Sequence, residues 1–186
     1  MGAIESMSKS KKNVIDPEEI IKSYGSDSAR WFMLSDSPPE RDINWSDSGI
    51  HGSWRFCQKI WTTITSNLSI LSDKNITIQN RDNAGNAQML LQNTHQSLDA
   101  VTKSIENFQM NVGVAKIYEL INHISKFKVL DEDDKSALKA SLIILIRIIE
   151  PMVPHLAEEC WSLCANSKSL TSEPCPDVDE NYLVKD

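Results

Sequence analysis

The sequence contains no C-x-x-C pair. Its four cysteines, Cys57, Cys160, Cys164 and Cys175, are dispersed, and the four histidines, His51, His95, His123 and His155, stand singly. A zinc site needs such ligands in clusters, so no metal is expected, and the cysteines read as reduced, buried thiols of a cytosolic protein. Long apolar runs are also missing. The longest, Ala140 to Ile149, spans about ten residues and carries Arg147, whereas a bilayer requires about 20. No apolar stretch follows Lys9, Lys11 and Lys12, so a secretory signal is not expected. Positive charge is not in excess either, because 19 Lys and Arg face 26 Asp and Glu for a net charge of −7. Neutralising phosphates takes clustered cations, so any contact with RNA must be local. Residues 1–61 hold eight basic and nine acidic side chains, and the acidic excess lies beyond them.

What the chain does have is helical periodicity. At 40% apolar residues over 186 positions it can bury one core of ordinary size. Residues 1–15 form a polar, basic segment without a period, expected to be a mobile loop. Residues 16–46 read as two short linker helices. Asp16 caps the first, Pro17 takes its first position and Gly25 stops it; Ser26 is expected to cap the second, with Ala29 to Leu34 as its body and Pro38–Pro39 forbidding continuation. The stretch from Glu40 to Trp45 reads as extended, in the manner of a short edge strand.

From Ser46 the steps of four and three become regular. Ile50, Trp54, Cys57, Trp61, Ile64, Leu68 and Leu71 form one stripe, which places Trp54 and Trp61 in the core. After a polar link around Lys74 to Asn86, a second stripe runs Ala87, Leu91, Thr94, Leu98, Val101, Ile105, Phe108 and Val112, with a break suggested at Asn111 and Gly113. A third helix carries Val114, Ile117, Ile121, Ile124 and Phe127. Asp131 to Asp134 suit the positive end of a fourth, Lys135 to Glu150, whose apolar side chains lie almost all round and place it centrally. Pro151 ends that helix, and Pro154 opens a last one with Leu156, Cys160, Trp161 and Leu163. Residues 165–186 are an aperiodic tail packed by Tyr182 and Leu183. The expected fold is all-α: an up-and-down bundle over 47–164, preceded by the loop and linker helices.

The residues that suggest chemistry lie at the front. Ser8, Lys9, Ser10, Lys11, Lys12 and Asn13 set hydroxyls and mobile ammonium groups just before a helix, which suits phosphate. On composition alone, a solvated basic terminus is the plainer reading. The word itself goes further. Met7 to Asn13, followed by Asp16–Pro17, Ile21, Tyr24, Gly25, Asp27 and Arg30, resembles the signature loop of class I aminoacyl-tRNA synthetases and the helices behind it. The run from Arg30 to Ser46, with Ser37, Pro38, Pro39, Glu40, Arg41 and Asp42, is similar to the leucyl branch of that family, and Trp54–Arg55–Phe56, Asn111 to Leu120 and Glu150 to Trp161 resemble its helical anticodon-binding domain.

The resemblance implies a leucine–tRNA ligase that activates leucine with ATP, accompanied by Mg, and transfers it to tRNA(Leu). It implies that Ser6, Met7, Ser8, Lys9 and Ser10 face the ATP phosphates, with Lys9 the residue of catalytic consequence. Ser6 stands where the family's first signature lysine would be, and it cannot supply that charge; Lys11 and Lys12 are candidates to compensate. Lys11, Lys12, Arg30, Arg41, Arg55 and Lys59 are candidate tRNA contacts. For the arginines, ion pairs with Asp36, Glu40 or Asp42 stay open as the alternative, while Trp31, Trp45, Trp54 and Trp61 are candidates for base stacking. His155 is expected to be a satisfied helix residue. The family's nucleotide-binding α/β domain and His-Ile-Gly-His-type motif are absent from this sequence. The expectation is therefore a C-terminal fragment, monomeric and cytoplasmic, that does not aminoacylate alone. A stand-alone helical RNA-binding or adaptor module of synthetase descent is the competing reading.

Overall fold

A computed structural model describes residues 5–38, 40–78, 85–164 and 168–183. Pro39, most of the second half of the polar link and the start of the tail at Ala165 lie outside them. Eight helices follow in order: α1 Pro17–Tyr24, α2 Ser26–Asp36, α3 Asp47–Thr65, α4 Leu68–Ser72, α5 Gly85–Glu106, α6 Met110–Lys126, α7 Glu132–Ile149 and α8 Pro154–Leu163. Two 3-10 turns, Leu170–Ser172 and Glu180–Tyr182, punctuate the tail, and no strand occurs among the described residues. The segment after α2 is therefore irregular rather than an edge strand. It has no neighbouring strand to pair with among the described residues, and a backbone turn from Arg41 N–H to the Pro38 carbonyl bends its start.

Local chemistry sets most of the ends. The Asp16 carboxylate accepts from the Glu18 N–H at 2.9 Å, with Pro17 at the first helical position. Gly25, at φ +83°, closes α1 by donating to the Ile21 carbonyl and at once serves as the N-cap of α2. Ser26 is thus the first residue of that helix and not its cap. Ser46 caps α3 through the Gly49 N–H, and Asp131 caps α7 through the Asp134 N–H at 2.8 Å. The Asp134 carboxylate returns the bond to the Leu130 N–H, so the acidic run acts as the expected cap.

Two breaks differ from the periodic reading. The stripe through Leu71 is interrupted at Ser66–Asn67, which separates α3 from α4. The stripe beginning at Ala87 ends at Ile105: Phe108 sits at φ +55° and is exposed, in the turn that lets α6 fold back against α5. Asn111 and Gly113 fall inside α6. Gly113 is buried, and a side chain there would collide with Ser104 Oγ, 2.3 Å from its would-be Cβ; the missing atom lets the two helices come together.

The helices α5, α6 and α7 form the centre, with α5 packed along both neighbours. Leu98, Ile117, Leu120, Ile121, Leu142, Leu145, Ile146 and Ile149 are fully enclosed there. The hydroxyls of Thr94 and Ser141, both buried, satisfy each other at 2.8 Å across α5 and α7. On the other side, Trp31 of α2 is completely buried against Phe56 of α3 and Tyr118 of α6, and its indole N–H donates to the Tyr118 hydroxyl at 3.1 Å. This aromatic trio locks the linker helices onto the bundle. Burial raises the Tyr118 pKa, so the hydroxyl stays protonated.

Candidate functional site

The loop that carries the phosphate-type word is held by Asn13. Its side-chain oxygen accepts from the Ser8 N–H at 2.8 Å and its amide donates to the Ser6 carbonyl at 3.2 Å. Between these anchors the backbone turns back on itself, Lys11 N–H to Ser8 O and Lys12 N–H to Lys9 O, with Lys12 at φ +53°. The Ser8 and Ser10 hydroxyls lie 3.2 Å apart. Within the segment expected to be a mobile loop, residues 6–13 form a closed hydrogen-bonded turn. It presents Lys9, Ser10, Lys11 and Lys12 outward, with Lys11 in an exposed ion pair to Glu5 at 3.2 Å. Lys9 and Lys12 make no ion pair with the described residues. Ser6 and Met7 are exposed and Ser8 is half-buried.

Behind the loop lies an apolar groove of about 340 Å³ between loop and linker helices, lined by Met7, Ile15, Ile20, Ile21, Met33 and Trp45 among others. Met7, Ile21 and Met33 are each close to half exposed.

Next comes a clip joining the linker helices to the bundle. Asp27 and Arg30, one turn apart on α2, reach the corner where α7 gives way to α8. The Asp27 carboxylate accepts from the Leu156 N–H at 2.7 Å and meets His155 Nδ1 at 2.8 Å. It stands in as cap for a helix whose own N-cap residue, Val153, offers no side-chain acceptor. The Arg30 guanidinium donates to the carbonyls of Pro151 at 2.8 Å and Met152 at 3.1 Å, in the turn that joins α7 to α8. One acidic side chain thus complements a helix start, and one basic side chain holds the turn just before it. Arg30, a candidate for tRNA phosphate or for ion pairing, instead has its donors on backbone carbonyls. His155 is satisfied as expected.

The outer face of α3 differs from the periodic reading. Its buried residues are Ile50, Ser53, Phe56, Cys57, Ile60 and Ile64, so the core-facing side is turned toward α2 and α6, and Trp54 and Trp61 sit half-buried at its margin. Both indoles, expected in the core, line an open recess of about 300 Å³ together with Tyr24, Asp27, Ser28, Cys57, Gln58 and Leu156. Burial pushes the Cys57 thiol up to about 11, which leaves it neutral and a poor nucleophile. On the same helix Arg55 is exposed and makes no hydrogen bond or ion pair with the described residues, whereas Lys59 donates to Asn122 of α6 at 2.7 Å. Arg41 is exposed beside the turn after α2. None of the three candidate arginines pairs with Asp36, Glu40 or Asp42. The candidate cations fall on four separate elements, and no contact unites them.

Asn13 and Asp27 stand in the sequence only as members of motifs, without the anchoring and capping roles the structure gives them, and Gln58 belongs to none. Asp27 and Arg30 at i and i+3 signal a shared helix face, but their partners lie more than 120 residues away. Among the described residues no group of three or more His, Cys, Asp or Glu could hold a metal ion, and no helix is long and apolar enough to cross a membrane.

Comparison with known proteins supplies the family. The family described as "Anticodon-binding domain of tRNA ligase" matches residues 87–186, and "tRNA synthetases class I (I, L, M and V)" matches residues 4–46. Leucine–tRNA ligases of Parvibaculum lavamentivorans and Maricaulis maris are 43% and 45% identical over 186 residues, which is all of this chain and 21% of each relative. The chain therefore spans about a fifth of the length of the curated relatives it matches. Among solved structures, the Agrobacterium radiobacter LeuRS in a ternary complex with tRNA and LeuAMS superimposes with a TM-score of 0.85 at 27% identity, over 96% of this chain and 23% of the other. Mycobacterium tuberculosis methionyl-tRNA synthetase shares the fold, with a TM-score of 0.64 at 21% identity over 83% of this chain and 35% of the other. The two family matches fall on either side of α3, the loop and linker helices on one and the central bundle on the other. The chain belongs to the anticodon-binding domain family of tRNA ligases, preceded by a class I tRNA synthetase segment as in the leucyl enzymes.

Proposed function

We propose that this chain is the portion of a leucine–tRNA ligase that carries the ATP-facing signature loop and a tRNA-binding helical domain. The parent enzyme activates leucine with ATP and transfers it to tRNA(Leu). What carries this reading is the joint itself: one continuous chain matches a class I synthetase segment at residues 4–46 and an anticodon-binding domain at 87–186, with leucine–tRNA ligases as relatives along its whole length. Lys9 is the residue assigned to catalysis. Its ammonium is exposed and unpaired on a turn whose backbone is clasped by Asn13, so it is free to follow the charge that develops on the phosphates as leucine's carboxylate attacks and pyrophosphate leaves. Ser6, Met7, Ser8 and Ser10 shape the same turn, and Mg accompanies the nucleotide. Lys11, Lys12, Arg41, Arg55 and Lys59 are the tRNA-facing candidates. The remainder of the ligase selects leucine and holds the nucleotide; its body covers the apolar groove of Met7, Ile21 and Met33. The isolated chain is monomeric, cytoplasmic and inactive in aminoacylation.

A stand-alone RNA-binding module is the second reading, favoured by Ser6 in place of a signature lysine. Two measurements separate them. The isolated chain should bind tRNA(Leu) weakly, with affinity that falls steeply as salt rises. Lys9→Ala in the full-length ligase should lower leucine-dependent pyrophosphate exchange while leaving the melting temperature of this chain unchanged. An unaltered exchange rate removes Lys9 from the mechanism, and absence of salt-sensitive tRNA binding overturns the binding role.

A further inference from the structure

The recess on the outer face of α3 has no part in the phosphate chemistry of the loop, and its walls are unusual for this chain. With only 6% aromatic residues overall, the recess gathers Tyr24, Trp54 and Trp61 together with Gln58 and Leu156. Trp54 and Trp61 are two turns apart on one helix, about 10 Å along its axis, and Gln58 lies between them. The Trp54 ring is backed by His51, stacked at 5.6 Å and 26°, and His51 meets Tyr24 edge-on at 6.3 Å. The indole is thus held on one face by His51 while it forms part of the recess wall. The floor is Cys57 and Ser28, both buried, and Cys57 is held neutral, which excludes a thiolate metal ligand or nucleophile.

Charge decides what such a slot can take. Its lining holds one carboxylate, Asp27, and no Lys or Arg. A phosphate would be repelled from the interior, whereas an uncharged aromatic ring would be stacked and offered acceptors. Beside Trp54 on the outer surface of the same helix, Arg55 is exposed without a partner among the described residues. An exposed cation on the residue next to Trp54, with π-faces and polar groups in the recess itself, fits a nucleotide whose base enters and whose phosphate stays outside. We propose that the Tyr24–Trp54–Trp61 recess receives an unpaired base of the bound tRNA, stacked on Trp54, with its backbone phosphate on Arg55. The Asp27 carboxylate and Gln58 side chain favour a base bearing an exocyclic amine. This inference rests on the tRNA-binding reading above and adds to it a stacking site.

The test measures equilibrium binding of tRNA(Leu) to the full chain across a series of salt concentrations. Trp54→Leu keeps apolar cover over Cys57 but removes the π-face, and it should weaken binding about tenfold with an unchanged salt dependence. Arg55→Ala should weaken binding and reduce the slope of log K against log salt by about one. Trp54→Phe, which can still stack, should recover most of the affinity, a result that mere loss of packing would not give. Thermal melts establish that all variants fold. If the unmodified chain binds tRNA and Trp54→Leu binds within twofold of it, the base site is refuted while the tRNA reading stands. If the unmodified chain does not bind, both fail.

Discussion

Replacing Gly113 by Ala isolates the contact that lets α5 and α6 close on each other. An ideal Cβ at this position lies 2.3 Å from Ser104 Oγ and 3.3 Å from Met152 Cε. The second distance is relieved by a small movement of a flexible methyl, but the first requires the hydroxyl to leave, because Ser104 is buried and its Oγ bonds back to the Val101 carbonyl at 2.8 Å. Overpacking of this kind costs about 1–3 kcal/mol. Against it, Ala is favoured over Gly inside a helix by about 1 kcal/mol. The single variant should therefore be destabilised by up to about 2 kcal/mol. Ser104→Ala alone should be close to neutral, since it removes a hydroxyl together with a bond inside its own helix. In the double variant the remaining neighbours are the residue 104 Cβ at 3.5 Å, an ordinary contact, and the flexible Met152 methyl at 3.3 Å, which needs only a small shift, so most of the propensity gain survives. It should exceed Ser104→Ala in stability by about 1 kcal/mol. Urea unfolding of the four proteins, followed by far-ultraviolet circular dichroism, gives the coupling directly. Additivity within about 0.5 kcal/mol would refute the claim that Gly113 makes room for Ser104.

The clip between linker and bundle should be measurable in the same way. Asp27→Ala leaves the Leu156 N–H without its acceptor and should destabilise the chain by about 1–3 kcal/mol; an unchanged urea midpoint would show that the first turn of α8 needs no cap from α2. His95 supplies a pH dependence. Its buried Nδ1 accepts from the Asp179 N–H at 3.2 Å, its ring stacks on Tyr182 at 5.0 Å, and burial lowers its pKa despite the nearby Asp179 carboxylate. A group whose pKa is depressed by folding contributes stability above its unfolded value, about 6.5, and that stability is lost as pH falls through the folded value. Protonation also fills the lone pair that holds the tail. Between pH 7.5 and 5.5 the chain should lose more stability than its His95→Phe variant, and parallel losses would exclude His95 as the cause.

The features readable in the sequence are those whose physics is local. Asp16–Pro17, Gly25, the acidic run from Asp131 and the Pro151–Pro154 pair each fix a helix end through neighbours within four residues, and the structure places those ends where they were expected except that α7 starts at Glu132, inside the acidic run, rather than at Lys135. The aperiodic turn at Phe108 was hidden because Phe108 and Val112 continue the spacing of the stripe before them; periodicity records apolar identity and is blind to a left-handed residue between two helices. The face of α3 was misjudged for a related reason. A stripe defined by its largest apolar residues centres on Trp54 and Trp61, yet Phe56 and Ile60 prove to be inside, because the packing of α2 and α6 decides which arc is covered.

Arg30 shows why candidate binding residues were the least readable part. Its type suits RNA equally well as a structural donor, and only the fold brings the Pro151 and Met152 carbonyls to it. The same contacts give physical meaning to the spacing Tyr24, Gly25, Asp27 and Arg30. Gly25 turns the chain so that α2 can leave α1, and Asp27 and Arg30 then grip opposite ends of the α7–α8 corner. The spacing serves the orientation of the phosphate-type loop relative to the bundle, because both the loop and this clip hang on the linker helices. A residue used in that way has little freedom to follow a ligand, whereas Lys9, Lys12, Arg41 and Arg55, exposed and without ion-pair partners among the described residues, retain it. Substitutions of Arg30 should therefore act first on stability, and substitutions of Arg55 first on binding.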